Sequence, residues 1–464
     1  MEAVQQKKGH PKGLYLLFFT EMWERFSYYG MRAILILYLT KKLMEGGLGM
    51  DQQEAMLLYG NFAGLVYFTP LIGGWLADKF LGQRLSITIG GITMMLGQFT
   101  LFAMNNMTGL YLGLLLLIIG NGLFKPNIST LLGGLYKYGD ERRDYAFSIF
   151  YMGINLGAFL APLVIGLVSD NLFATTNADG TMTYGYRYGF LVSGIGMLLG
   201  QLIFSLFAQK YLGDLGKAPV GKSSSDSKES LKQSINPQTG EVLNERQERQ
   251  RITVIFILFA FAVFFWAGFE QAGSSLSLYT DKFIDRNVFG YEISTSMFQA
   301  VNPIFIVTLA PLFAMFWSSS LGKKLSTPVK MGFALIILGV GFLFMLGAVA
   351  ERNANGDPED VANKAALMWL IMTYFLHTVA ELCLSPVGLS VVTKLSPPKL
   401  ASLLMAVWML SSSAANFLGG LVAAEVETMG AGQVFTYIAI FVIVCGLLLL
   451  LLSKQISKMM HGVK

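Results

Sequence analysis

The chain has 464 residues, 54% of them hydrophobic and 14% charged, with a mean hydropathy of +0.55 and a formal net charge of +5. An ordinary soluble domain carries about a quarter of its residues as charges, so this composition excludes one. A membrane barrel would show alternating segments of roughly ten residues; the apolar runs here, such as LYLGLLLLIIGNGLF and VFTYIAIFVIVCGLLLLLLS, are continuous and predict helices that satisfy their own backbone in lipid.

Twelve spans are predicted in chain order, at roughly 14–40, 54–78, 84–104, 109–134, 144–168, 186–209, 251–280, 292–318, 328–350, 364–393, 398–424 and 432–454. The first carries Glu21, Glu24, Arg25 and Arg32 in FTEMWERFSYYGMRAILILYL. At 100° per residue these charges share one broad face with Tyr28 and Tyr29, acidic at its start and basic at its end. The fourth span holds Lys125 beside Pro126, the seventh Glu270, and the tenth His377 and Glu381. His377 precedes Glu381 by one turn, on the same face, and is expected to be neutral and bonded to a neighbouring helix. Pro303 and Pro386 are expected to permit bends, since proline removes a backbone hydrogen bond. Residues 210–250 are rich in Ser, Lys and Gln and read as a linker. The expected organisation is therefore a six-helix bundle over 1–209, the linker, and a second bundle over 251–464.

Both tails and the connections on their side hold 24 of the 34 Lys and Arg residues; the opposite loops hold 7. The positive-inside rule then puts both termini in the cytoplasm. No cleavable signal peptide is apparent, because the first apolar segment carries four charges. Cys383 and Cys445 fall inside spans and read as small core residues. Three histidines, none in a metal spacing, give no catalytic set, no metal site and no cofactor call.

A charge at mid-bilayer costs about 3 kcal/mol on insertion scales. Seven of them on four spans argue for a water-filled cavity and hence a secondary transporter. Four are acids and three are bases, so at least one carboxylate has no private partner and becomes a candidate proton site.

The segments EMWERFSYYGMR, GNGLFKPNIS, FSIFYMGINLGAF, FWAGFEQAGSSLSLYTDKF, QAVNPIFI and ELCLSPVGLS resemble, in order, those of the proton-dependent oligopeptide transporter (POT) family. GGWLADKFLGQR resembles the loop between the second and third helices of the major facilitator superfamily. The resemblance implies an all-α major facilitator fold of twelve membrane helices. The two extra helices of many bacterial members are not expected, because 210–250 is too polar. It implies a symporter importing di- and tripeptides with protons by alternating access. A multi-pass protein of the inner (cytoplasmic) membrane, working as a monomer without nucleic-acid partners, is expected.

By the same resemblance, Arg32 and Lys125 would receive the peptide carboxylate, and Glu381, with Asn155 and Asn302, its ammonium. Tyr28, Tyr29, Tyr67, Tyr151, Trp266, Phe269, Ser385 and Trp408 would line side-chain pockets, where ring faces accept varied groups. Proton coupling would rest on Glu21, Glu24, Arg25 and Glu270. The gating ion pairs would be Arg32 with Glu270 and Lys125 with Glu381. Animal members carry a coupling histidine on the second helix; by the match of YGNFAGLVYFTP that position is Gly60 here, so carboxylates must do its work. A carrier of nitrate or another small anion on the same fold is the alternative, although an anion would give Glu381 no partner.

Overall fold

In the computed structural model the described residues are 9–136, 140, 142–219, 234, 241–357, 360–397 and 400–463, without the side chains of 385–387, 389 and 402. The helices are α1 (Lys12–Thr40), α2 (Gln52–Leu76), α3 (Gln83–Ala103), α4 (Met107–Gly134), α5 (Arg142–Gly166), α6 (Tyr186–Leu212), α7 (Glu245–Phe269), α8 (Ser275–Phe283), α9 (Val301–Ser318), α10 (Thr327–Asn355), α11 (Leu367–Leu395), α12 (Ala401–Met429) and α13 (Ala431–Met459). α7 and α8 form one span, broken by a 3-10 turn at Glu270–Gly273. Eleven spans among the described residues are long and apolar enough to cross a membrane. α1, 29 residues long and interrupted by its four charges, makes the twelfth.

Local chemistry sets the helix starts. Asn106 caps α4 by accepting from Gly109 N at 2.8 Å. Asn244 and Gln247 form a reciprocal capping box that starts α7 ahead of the predicted 251. Asp140 accepts from the Arg142 backbone and guanidinium at 3.0, 3.0 and 2.7 Å at the entry to α5. The guanidinium hydrogen bonds hold the Asp140 carboxyl below its usual range. Two short hairpins were not expected: β1 (Thr175–Thr176) with β2 (Met182–Thr183), and β3 (Asn287–Val288) with β4 (Tyr291–Glu292). The second turns at Phe289 and Gly290, both at positive φ (53° and 84°), as a two-residue turn between twisted strands requires.

Packing divides the chain into two compact units. The first comprises Met1–Met31, Phe68–Phe173 and Gly185–Ser225. Here glycines let helix backbones touch. A Cβ on Gly90 of α3 would lie 2.6 Å from the Gly120 carbonyl of α4. A Cβ on Gly157 of α5 would lie 3.0 Å from Arg25 Cβ, and one on Gly153 would lie 2.9 Å from the Phe18 ring. The residues after α6 fold back on α3, with Arg84 donating to Gly213 O at 2.6 Å and Arg84 N to Gly216 O at 2.9 Å. Of the predicted linker, residues 220–233 and 235–240 lie outside the described residues.

The second unit comprises Arg32–Tyr67, Ala174–Tyr184 and Asp226–Lys464. Its core is built from α7, α8, α10, α11 and α13 around Phe265, Phe342 and Phe435. The end of α1 and most of α2 pack into this unit. Gly60 of α2 lies against Gly420 of α12, where a Cβ would come within 2.5 Å of the Gly420 Cα. Ser413 donates to Gly64 O at 2.8 Å, and Gln53 N to Glu427 at 2.8 Å.

Candidate functional site

In the first unit the charges of α1 form a closed cluster. Arg25 holds the Glu24 carboxylate through two guanidinium nitrogens, Nη2 at 2.7 Å and Nε closer still. Its Nε is also 3.2 Å from Glu21 Oε1, one turn back. Asn121 of α4 donates to Glu24 Oε1 at 3.4 Å. Arg25 lies over the Tyr28 ring at 5.4 Å, and Tyr28 meets Tyr29 edge-on at 5.4 Å. Glu21, Glu24 and Arg25 are all buried. The glycines of FSIFYMGINLGAF explain why: Gly153 and Gly157 bring α5 flush against this face of α1 and shut out water.

The cluster is not balanced. Glu24 has a bidentate guanidinium and an amide, whereas Glu21 Oε2 is buried with no hydrogen-bond donor among the described residues. Lys125, one turn beyond Asn121 on α4, lies within electrostatic reach of Glu21. Asn155 is buried on α5, its amide donating to Tyr151 O at 2.9 Å, and Tyr151 is half-exposed.

In the second unit Arg32 and Glu270 form an ion pair, with side chains 11% and 12% exposed. Arg32 Nε also donates to the Tyr59 hydroxyl at 2.8 Å. Glu270 is placed by the break after α7, where helical bonding gives way to the 3-10 turn. A Cβ at Gly273 in that turn would lie 2.1 Å from the Tyr59 hydroxyl and 3.0 Å from Arg32 Nη2, so a side chain there must displace both. On α11, Glu381 accepts from Asn302 at 2.9 Å, and Asn302 also bonds Thr378 at 3.0 Å. Trp266 and Phe269 meet edge-on at 5.3 Å. Trp408 is buried over Gly388, and Tyr67 is half-buried. The Ser385 side chain lies outside the described residues.

Two sequence expectations change. The bond expected from His377 to a neighbouring helix reduces to a poorly formed approach to the Leu338 backbone. Its ring is instead packed on Phe342 at 4.8 Å and Phe269 at 6.3 Å. Pro303 falls where a 3-10 segment, Thr295–Ala300, joins the first turn of α9. An N–H is dispensable there; the interior proline of α9 is Pro311. Sequence reasoning missed Tyr59, Asn121 and Thr378. Asn121 could have been found, being four residues before Lys125 on one face. Tyr59 could not, because its partner is on another helix.

A family model described as the POT family matches residues 84–213 and 220–438. The chain is 37% identical over 503 residues to YclF of Bacillus subtilis (strain 168), an uncharacterized transporter, covering 100% of this chain and 98% of that protein. It is 32% identical to a di-/tripeptide transporter of Lactococcus lactis subsp. cremoris, covering 98% of each. Among solved structures, a mutant of the peptide transporter POT in complex with alafosfalin has a TM-score of 0.84 and 34% identity, over 99% of this chain and 97% of that one.

Proposed function

The chain belongs to the POT family, and on that premise we propose that it imports di- and tripeptides together with protons, by alternating access. The protein is a multi-pass transporter of the cytoplasmic membrane, with both termini in the cytoplasm, working as a monomer. The halves 1–209 and 251–464 are its moving bundles. The observation that carries the reading is the excess of acid over base inside the membrane spans, with the Glu21 oxygen that has no donor among the described residues at its centre.

A zwitterionic peptide presents an ammonium and a carboxylate at a nearly constant separation. Arg32 and Lys125 offer cations to one end, and Glu381, held by Asn302, offers an anion to the other. Tyr28, Tyr29, Tyr67, Tyr151, Trp266, Phe269 and Trp408 supply ring faces for side chains of any chemistry. Arg32 spent on Glu270 is not available to a substrate carboxylate. Protonating Glu270 releases it, which couples proton entry to peptide capture. Glu21 takes the second proton, because a neutral carboxyl leaves no buried oxygen charged and undonated. Lys125 and Glu381 trade each other for the two ends of the substrate.

Purified protein in liposomes with an alkaline interior tests this. Labelled dipeptide and tripeptide should accumulate, collapse on adding a protonophore, and be unaffected by nitrate. Uptake of nitrate with no effect of peptide would replace this reading with the small-anion one.

A further inference from the structure

Two buried oxygens beside the Glu24–Arg25 pair have no hydrogen-bond donor among the described residues. One is Glu21 Oε2; the other is Asn121 Oδ1 on α4. Glu21 is 3% exposed and Asn121 1%. The other polar atoms of both side chains are committed. Glu21 Oε1 is 3.2 Å from Arg25 Nε, the nitrogen that also holds Glu24. Asn121 Nδ2 donates to Glu24 Oε1 at 3.4 Å. That bond fixes the orientation of the amide. A carboxylate only accepts, so the nitrogen of Asn121 must face Glu24 and its oxygen must face elsewhere.

An acceptor without a donor in a buried site has given up water and gained nothing for it. The two oxygens cannot satisfy each other as they stand, since neither carries a hydrogen. One proton on Glu21 changes this, because Oε2 then becomes a donor in the same cluster as the undonated Asn121 Oδ1. An amide suits the place. It donates to the carboxylate that Arg25 holds and can accept from a carboxyl that has taken a proton; a carboxylate there could not donate, and an ammonium could not accept. The charged groups around Glu21 come from two helices, Glu24 and Arg25 on α1 and Lys125 on α4. α5 and α6 meet this stretch of α1 through glycines, Gly157 against Arg25 and Gly200 against Trp23.

We propose that Asn121 is a positioning residue for proton coupling: its Oδ1 accepts the hydrogen of protonated Glu21 while its Nδ2 stays on Glu24. The inference rests on the reading of Glu21 as a proton site and adds the partner that holds the proton there. The acceptor stabilises only the neutral form of Glu21. Removing it favours the charged form, so a more acid medium is needed to load the proton.

The test uses the full chain in liposomes. Infrared difference spectra between acid and alkaline pH show the C=O stretch of each carboxyl that takes a proton, and the band lost in Glu21→Gln belongs to Glu21. Asn121→Leu should move that band to higher frequency, as happens when a carboxyl O–H loses its acceptor. Asn121→Ala, which adds no bulk, should do the same and covers the case in which leucine does not pack. Asn121→Gln restores an amide and should bring the band back toward its wild-type position. Dipeptide uptake is measured with the interior held alkaline and the outside pH varied. Asn121→Leu and Asn121→Ala should shift half-maximal uptake toward acid by about half to one pH unit, the worth of one hydrogen bond to the neutral form. A band or a pH profile that both variants leave in place overturns the proposal, whatever happens to the melting temperature, and so does the absence of any band that depends on Glu21. A moved band in a protein whose wild type shows no proton-driven uptake sinks the functional reading and leaves the Asn121–Glu21 contact; normal wild-type uptake with an unmoved band does the reverse.

Discussion

Glu21 and Glu24 are three residues apart on one helix, share Arg25, and are both buried, yet their situations differ. Glu24 is fully engaged, so Glu24→Gln breaks a bidentate buried pair and should destabilise the protein by roughly 3 kcal/mol, read as a lower melting temperature in detergent. Glu21 has an oxygen that accepts no hydrogen bond among the described residues. Glu21→Gln should leave the melting temperature nearly unchanged and abolish proton-driven accumulation while preserving peptide counterflow. Equal loss of stability in both variants would make the cluster structural. Glu270→Gln frees Arg32 without changing shape. It should bind peptide at least as well as the wild type in calorimetry and fail to concentrate it; full uphill uptake would remove Glu270 from the coupling scheme. Tyr59→Phe deletes one hydrogen bond to Arg32, worth about 1 kcal/mol, and should shift apparent peptide affinity severalfold at most.

At the scale of helices, the sites depend on backbone proximity that only glycine allows. α5 presses on α1 at Gly157, beside Arg25. Gly157→Val must push the helices apart, at a cost of about 1–3 kcal/mol for overpacking. It should lower thermal stability, with Gly157→Ala intermediate; a stable, fully active Gly157→Val protein would refute the tight α1–α5 contact. Gly60 serves a different end. It sits where α2 meets Gly420 of α12 in the second unit. Gly60→Ala should keep the fold but loosen that contact, read as a lower melting temperature in detergent. The break at Glu270–Gly273 is the third such device: a continuous helix would aim Glu270 elsewhere, and a side chain at Gly273 would displace Arg32.

For the molecule as a whole, the grouping of Arg32–Tyr67 with the C-terminal helices is the informative fact. The unit boundary cuts α1 between Met31 and Arg32, so the acidic cluster and the Arg32–Glu270 pair fall in different packing units although one helix carries both. Peptide counterflow, which needs no proton, should survive in the double variant Glu21→Gln/Glu270→Gln as it does in each single one, measured in liposomes loaded with unlabelled peptide. Loss of counterflow in the double variant alone would show that the two carboxyls share a role beyond proton coupling.

The membrane spans, the intramembrane charges and the family were legible in the chain itself. Apolar runs of about twenty residues and buried ionisable groups carry an energetic signature that no tertiary contact is needed to read. Glu21, Glu24, Arg25 and Arg32 could be placed on one face of α1 from helical periodicity alone. That Tyr59 holds Arg32, that Asn121 reaches Glu24, and that α1 divides between two packing units were decided by tertiary structure. Those facts depend on the register between helices distant in sequence, set by where glycines permit approach, and periodicity within one helix holds no information about it.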